Sequence, residues 1–297
     1  MPKLPVLPNL AGLPCLAGLP CLAGMGLKPD FYSEALELSN KDIWYEVHPE
    51  NYMVAGGPRL AWLSEFAQKF SMSFHGVGAS LGGLDPFDKD HMAALKSLID
   101  RFNPAQVSEH ATWSSFEGRF FADLLPLPRT RQVQDHMVAR IDEFQNGVGR
   151  QILIENPTNY MRATTELDEP EFLCEIAKRA GCGLLMDVNN IYISSVNTGI
   201  DAASYVRAIA PELVGEIHIA GFEADLIRGN DLLIDTHSAP VDDSVWDLLD
   251  VAIDHLGPRP ILLERDGNIP EFDVMLGEHA RASRALGLKP ARQRATT

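Results

Sequence analysis

Cysteine is scarce in this chain: four among 297 residues, Cys15, Cys21, Cys174 and Cys182, with no CxxC pair. That excludes a disulfide framework, a zinc ribbon and a cysteine-held iron–sulfur cluster. Cys174 falls in a helical pattern and Cys182 precedes an apolar strand, so both read as packing residues, and a reducing, cytoplasmic setting is expected. Long apolar runs are also lacking. None approaches the roughly 18–20 residues that a membrane span requires. Pro5, Pro8, Pro14 and Pro20 break up the apolar start of the chain, a poor match to a secretory signal core. Basic residues are outnumbered 25 to 41, for a formal charge of −16. A protein built mainly to grip nucleic-acid phosphate needs the opposite balance.

What is present suits a packed domain, with 45% hydrophobic and 22% charged residues. Residues 7–24 repeat LPNLAG, LPCLAG, LPCLAG, with Pro and Gly opposing regular structure. Residues 1–21 therefore read as a flexible or loosely docked arm, 22–288 as one catalytic domain and 289–297 as a tail. Within the domain, short apolar runs alternate with amphipathic segments. Strands are expected near 24–27, 43–47, 71–77, 105–110, 151–155, 183–188, 214–219 and 260–264. Helices are expected over 58–70, 88–102, 130–147, 169–180, 201–209, 243–256 and 271–286. Eight such units without a Gly-rich phosphate fingerprint indicate an α/β fold of the closed (β/α)8 TIM-barrel type rather than a doubly wound sheet.

In a parallel barrel the chemistry sits at the C-terminal ends of the strands. Strand two ends in Glu46, with His48 and Glu50 beyond it; strand three carries His75; strand four ends in Glu109-His110 and strand five in Glu155-Asn156. Strand six ends in Asp187, with Asn189 and Asn190 after it; strand seven carries His218, and strand eight ends in Glu264 with Asp266. Between strand seven and the next helix, the run LLID leads into Asp235-Thr236-His237. If the chain stays extended there, Asp235 and His237 share a side and Thr236 faces away.

A single His or Glu at a strand end usually has a local hydrogen-bond partner. Six consecutive strands each delivering one would bury charge at heavy desolvation cost unless cations neutralise it. The pool is His75, His110, Glu155, Asp187, His218, Asp235, His237 and Glu264. One catalytic zinc typically takes three protein ligands, so this set implies two or three bridged ions. Its N/O character suits iron, manganese or zinc without choosing among them.

The segments SFHGVG, VSEH, ILIENPTNY, LLMDVNNIYISSVN, GEIHIAGF, DTHSAPV and LLERDGNIP resemble the multinuclear non-heme iron-dependent oxidative enzymes, the methanobactin-biosynthesis-enzyme-like family. The resemblance runs from about Met25 to Leu286 and implies a xylose-isomerase-like barrel, similar in turn to endonuclease IV. It implies two or three irons, mixed-valent Fe(II)/Fe(III), and dioxygen as cosubstrate. The reaction implied is oxidation of cysteine residues in a ribosomally made precursor peptide presented by a separate leader-binding partner protein. Carried onto this chain, it makes Glu155, Asp187, Glu264 and Asp266 the catalytic candidates and adds Asn190 to the metal ligands. Asn156, Asn159 and Trp113 become candidates for substrate contact, with Phe116 nearby. One departure stands out: Asn190 occupies the position where endonuclease IV has a His after its sixth strand, and a neutral Asn should hold its ion less firmly.

Two other readings fit the residues. A hydrolase or isomerase on the same barrel would use a divalent ion to activate water. A metal chaperone would rely on Cys15 and Cys21.

Overall fold

The computed structural model describes residues 18–39, 42–163 and 165–288. Most of the expected arm, residues 1–17, and the tail, 289–297, lie outside them. The barrel strands are β1 (Ala23–Gly26), β2 (Trp44–Val47), β3 (Met72–Gly76), β4 (Gln106–His110), β7 (Leu153–Glu155), β8 (Gly183–Asp187), β9 (Val214–Ile219) and β12 (Ile261–Leu263). Two hairpins rise from the loops after the fourth and seventh barrel strands: β5 (Trp113–Phe116) with β6 (Arg119–Leu125), and β10 (Glu223–Asp225) with β11 (Gly229–Ile234). The helices are α1 (Tyr32–Glu37), α2 (Pro58–Lys69), α3 (Lys89–Phe102), α4 (Arg131–Val148), α5 (Glu169–Ala180), α6 (Val188–Thr198), α7 (Ala202–Ala208), α8 (Asp243–Leu256) and α9 (Phe272–Ala285).

The eight barrel strands pair in parallel, each with the next in sequence, and β12 closes on β1 through Ala23↔Ile261 to Met25↔Leu263. The expected (β/α)8 fold is the one observed. Its strands are buried on both faces, as a parallel sheet clad in helices requires. Helix starts follow from local chemistry: Asp88 Oδ1 accepts from the Asp90 and His91 amides, and Thr130 Oγ1 accepts from that of Val133.

The floor of the barrel is apolar. Leu19, Trp44 and Leu262 form a buried cluster there, and Trp44 Nε1 donates to Leu22 O at 2.9 Å. Gly24 is a close approach: a Cβ on it would lie 2.4 Å from the Trp44 ring. Residues 18–21, counted with the arm on sequence grounds, thus help to close the N-terminal end. Cys21 lies at that end, away from the strand ends that carry the candidate ligands. Above the floor the inward residues become polar. Glu46 accepts from Ser73 Oγ at 2.8 Å, and Glu216 and His218 share the inner face of β9. No helix among the described residues is long and apolar enough to cross a membrane.

Candidate metal centre

Each parallel strand delivers its last inward side chain to the same mouth. His75 (β3), His110 (β4) and Glu155 (β7) meet first: Glu155 Oε2 lies 2.9 Å from His75 Nε2 and 3.3 Å from His110 Nε2. His110 Nδ1 faces the Gly76 carbonyl at 3.1 Å, which can only accept, so the proton sits on Nδ1 and Nε2 is left with its lone pair. Next, His218 Nδ1 lies 3.4 Å from Glu264 Oε2, and its Nε2 lies 3.3 Å from Glu216 Oε1 and 3.6 Å from Glu46 Oε1. At the rim, His237 Nε2 is 2.8 Å from Asp235 Oδ1 while its Nδ1 is 3.0 Å from Asp266 Oδ2. Asp266 is paired in turn with Lys28.

Donor atoms converge in overlapping triads: His75–His110–Glu155, Glu155–Asp187–His218, Glu46–His218–Glu264 and Asp187–His237–Glu264, with ligand atoms in each within 4.8 Å of one another. Glu155, Asp187, His218 and Glu264 each belong to two triads, which is the connectivity of a bridged cluster. Glu155 Oε2, Asp187 Oδ2, His218 Nδ1 and His237 Nε2 are buried and make no aligned hydrogen bond, although neighbouring donor atoms lie close. Buried polar atoms are ordinarily satisfied. Ligand atoms gathered within 4.8 Å of one another without aligned hydrogen bonds suit cations between them.

The ionisation pattern of the metal-free site has the same origin. Burial alone would lower His75, yet Glu155 and Glu46 outweigh it and raise it to about 10. Burial opposes ionisation of Glu155 as well, but His110 and His75 hold it down to about 2. Asp187 lacks such a partner: burial and then the charges of Glu155 and Glu264 push it well above the usual carboxylate range. Burial likewise moves Glu216 up to about 7.

The cavity at the mouth has a volume of about 520 Å³ and is bordered by His75, His110, Glu155, Asn190, Asp235, Thr236, His237, Glu264 and Asp266. His218 and Asp187 lie beneath it, fully buried. Asn190 comes to the cluster chiefly as a donor. Its Nδ2 reaches Glu155 Oε1 at 3.1 Å and Asn156 O at 3.0 Å, while its backbone N–H caps onto Asp187 Oδ1 at 2.7 Å. Asn156 clamps the strand ends instead of facing the cavity: its Nδ2 donates to Asp187 O at 3.0 Å and its Oδ1 accepts from Asp187 N at 2.9 Å. Asn159 points to Glu169 at 2.9 Å and borders a separate cavity of about 1130 Å³ beside α5 and α7 that contains none of the triads. Trp113 packs edge-on against Phe121 and donates to Pro126 O at 3.2 Å, outside the residues bordering the metal cavity. Phe116, on the same hairpin, also lies outside that border.

Two expectations need correction. Extended alternation does not bring Asp235 and His237 together, because β11 ends at Ile234 and His237 has φ +50°. A turn joins them, in which Ser238 N donates to Thr236 Oγ1 at 3.3 Å and Asp266 N to His237 O at 2.8 Å. Nor does Thr236 face away from the cavity; it borders it. Glu216 and Glu46 stand outside the expected pool of ligands. Both were accessible by alternation, since Glu216 stands two residues before His218 on β9.

Residues 22–287 match the family model described as RiPP precursor modification enzyme MbnB/TglH/ChrH. The chain is 51% identical over 259 residues to a UPF0276 protein of Caulobacter sp. (strain K31), covering 87% of this chain and 94% of that one. A Bordetella parapertussis relative of the same name is 44% identical over 264 residues, covering 88% and 91%. Among solved structures, endonuclease IV from Thermus thermophilus aligns with TM-score 0.56 at 16% identity, covering 89% and 98% of the two chains. A xylose isomerase-like TIM barrel protein from Mycobacterium smegmatis, in complex with magnesium, aligns with TM-score 0.55 at 14% identity over 89% and 96%. These last two likenesses concern the fold alone.

Proposed function

This chain belongs to the family of RiPP precursor modification enzymes MbnB/TglH/ChrH, and from that premise we propose that it is a multinuclear non-heme iron enzyme that uses dioxygen to oxidise cysteine in a ribosomally made peptide. The observation that carries the reading is the set of buried, unsatisfied ligand atoms on Glu155, Asp187, His218 and His237, held in triads that share members. His75, His110 and Glu155 would hold one ion, and Glu155, Asp187, His218 and Glu264 a second. Asp235 and His237, with Asp187 or Glu264, would hold a third.

When bound, iron supplies redox electrons and coordination positions for a thiolate and dioxygen. The protein's own groups do the rest. Asp266, fixed by Lys28, accepts from His237 Nδ1 and so directs Nε2 into the site. Glu46 and Glu216 stand behind His218 Nε2 and turn its Nδ1 toward the cluster. Asn190 steadies Glu155 through Nδ2, and Asn156 fixes the end of β8 beneath Asp187. We place the reaction in a reducing, cytoplasmic setting, in keeping with the free thiols of Cys174 and Cys182. A separate protein presents the leader of the precursor.

The test is a single-turnover reaction of iron-loaded protein with dioxygen and a cysteine-containing precursor peptide encoded beside its gene, followed by mass spectrometry and oxygen uptake. The peptide should change mass with loss of its free thiol while its serine counterpart stays inert. Turnover without dioxygen, with zinc as the metal, would favour the hydrolase or isomerase reading.

A further inference from the structure

The hairpin β5–β6 stands over the metal cavity, and its two edges are treated differently. Its loop, Glu117-Gly118, has φ of +50° and +70°, the two-residue geometry whose twist matches paired strands. Along β5 the edge is pinned: Ser80 Oγ accepts from the Ser114 and Ser115 amides at 2.9 and 3.1 Å, and Asp85 Oδ2 accepts from Gly118 N at 3.0 Å. Along β6 it is bare. Among the described residues β6 pairs only with β5, and its first five residues are exposed. Phe116 and Arg119 flank the loop as the first pair and Ser115 faces Phe120 as the second; beyond them the register shifts, and Trp113 faces Leu125. Hydrogen-bonded and non-bonded pairs alternate in an antiparallel ladder, so the N–H and C=O of Phe120 point outward.

Proteins normally guard such an edge with charge, proline or a covering element. Here Arg119 and Asp123 supply charge and a register shift breaks the ladder, while Phe120, 67% exposed, leaves an apolar place between the two charges. The same strand also sends Phe120 and the run Ala122-Asp123-Leu124 to the border of the metal cavity. At about 520 Å³ that cavity admits side chains of a substrate, not a folded partner. A chain that delivers one side chain to the metals must therefore lie across the mouth.

We propose that the free edge of β6 is the docking strand for the substrate: an extended, cysteine-bearing peptide pairs with it through backbone hydrogen bonds. Alternate side chains of the added strand then face the cavity, the cysteine among them, and an apolar residue two positions away rests on Phe120. This inference rests on the peptide-modifying reading above and names its mode of recognition.

The experiment selects short cysteine-centred peptides from a displayed library on the full-length, metal-loaded protein. The best binder is then resynthesised with N-methyl groups at successive positions. Strand pairing predicts affinity losses of about fivefold at every second residue, each removing one edge hydrogen bond. Hydrogen exchange on the wild-type complex should show new protection over residues 119–125. Phe120→Pro should weaken binding about tenfold while Phe120→Leu keeps it within about threefold, since only the former removes the outward N–H. Losses without a period of two, or protection confined to another surface such as the cavity beside α5, would overturn the docking strand and leave the peptide-modifying reading standing. Enrichment of no cysteine peptide over its serine counterpart would remove that reading instead.

Discussion

Glu155 is one of four candidate ligands shared between two triads, belonging to the one with His75 and His110 and to the one with Asp187 and His218. Its loss should empty more of the site than loss of a terminal ligand. Glu155→Gln is expected to lower metal content by more than about one equivalent per chain, whereas Asp235→Ala and His237→Ala should each cost about one. Thr236→Val should leave the content intact, because Thr236 offers only a hydroxyl already engaged with Ser238 N. Metal analysis of the four variants, purified alike, checks this ordering. The ligand types were legible because inward residues at parallel strand ends must share one mouth. The turn at His237 was not: left-handed backbone at a His is set by the contact of Asp266 N with its carbonyl, a partner 29 residues away.

At the scale of elements, local pattern and long-range packing divide the outcome. The expected strand over 214–219 coincides with β9, and the other barrel strands differ by no more than two residues at either end, as near-continuous apolar runs allow. Helix α6 lies outside the expected helices because VNNIYISSV is rich in β-branched residues and Asn, poor helix formers. It forms because Asp187 caps it and the barrel buries one of its faces. The β5–β6 hairpin carries no strong sequence signal, because Glu-Gly is not one of the strong turn pairs.

Two further predictions belong at this scale. Gly24→Ala drives a methyl into the Trp44 ring and should destabilise the protein by about 1–3 kcal/mol, read as a lower Tm with metal content unchanged. Glu50 links the segment after β2 to the loop after β3, accepting from the Val77 and Gly78 amides at 2.9 Å each. Burial opposes its ionisation, but His91 and the Val77 amide outweigh that and hold it at about 2, below the ordinary 4.5. The stabilisation is full above pH 4.5 and fades as pH falls toward 2, a contribution on the order of 2 kcal/mol. Glu50→Gln should flatten that part of the stability–pH curve, measured by chemical denaturation in acid.

For the whole molecule, the closed barrel resolves a conflict posed by the composition. A chain with a formal charge of −16 gathers carboxylates and imidazoles at one buried mouth, above an apolar floor of Leu19, Trp44 and Leu262. Such a mouth is tolerable only when protons or cations neutralise it, and the triads with their unsatisfied donor atoms favour cations. The eight-fold architecture was legible because each β/α unit repeats the same apolar signature. The β5–β6 hairpin, proposed above as the docking strand, was not, because its meaning comes from where the barrel places it.

The most direct test is elemental analysis with Mössbauer spectroscopy of the full chain expressed with iron-57 and purified without oxygen. Two to three irons per chain are expected, exchange-coupled through shared carboxylates, with the count reduced in Glu155→Gln. A single uncoupled iron, or zinc alone at full occupancy, would contradict it.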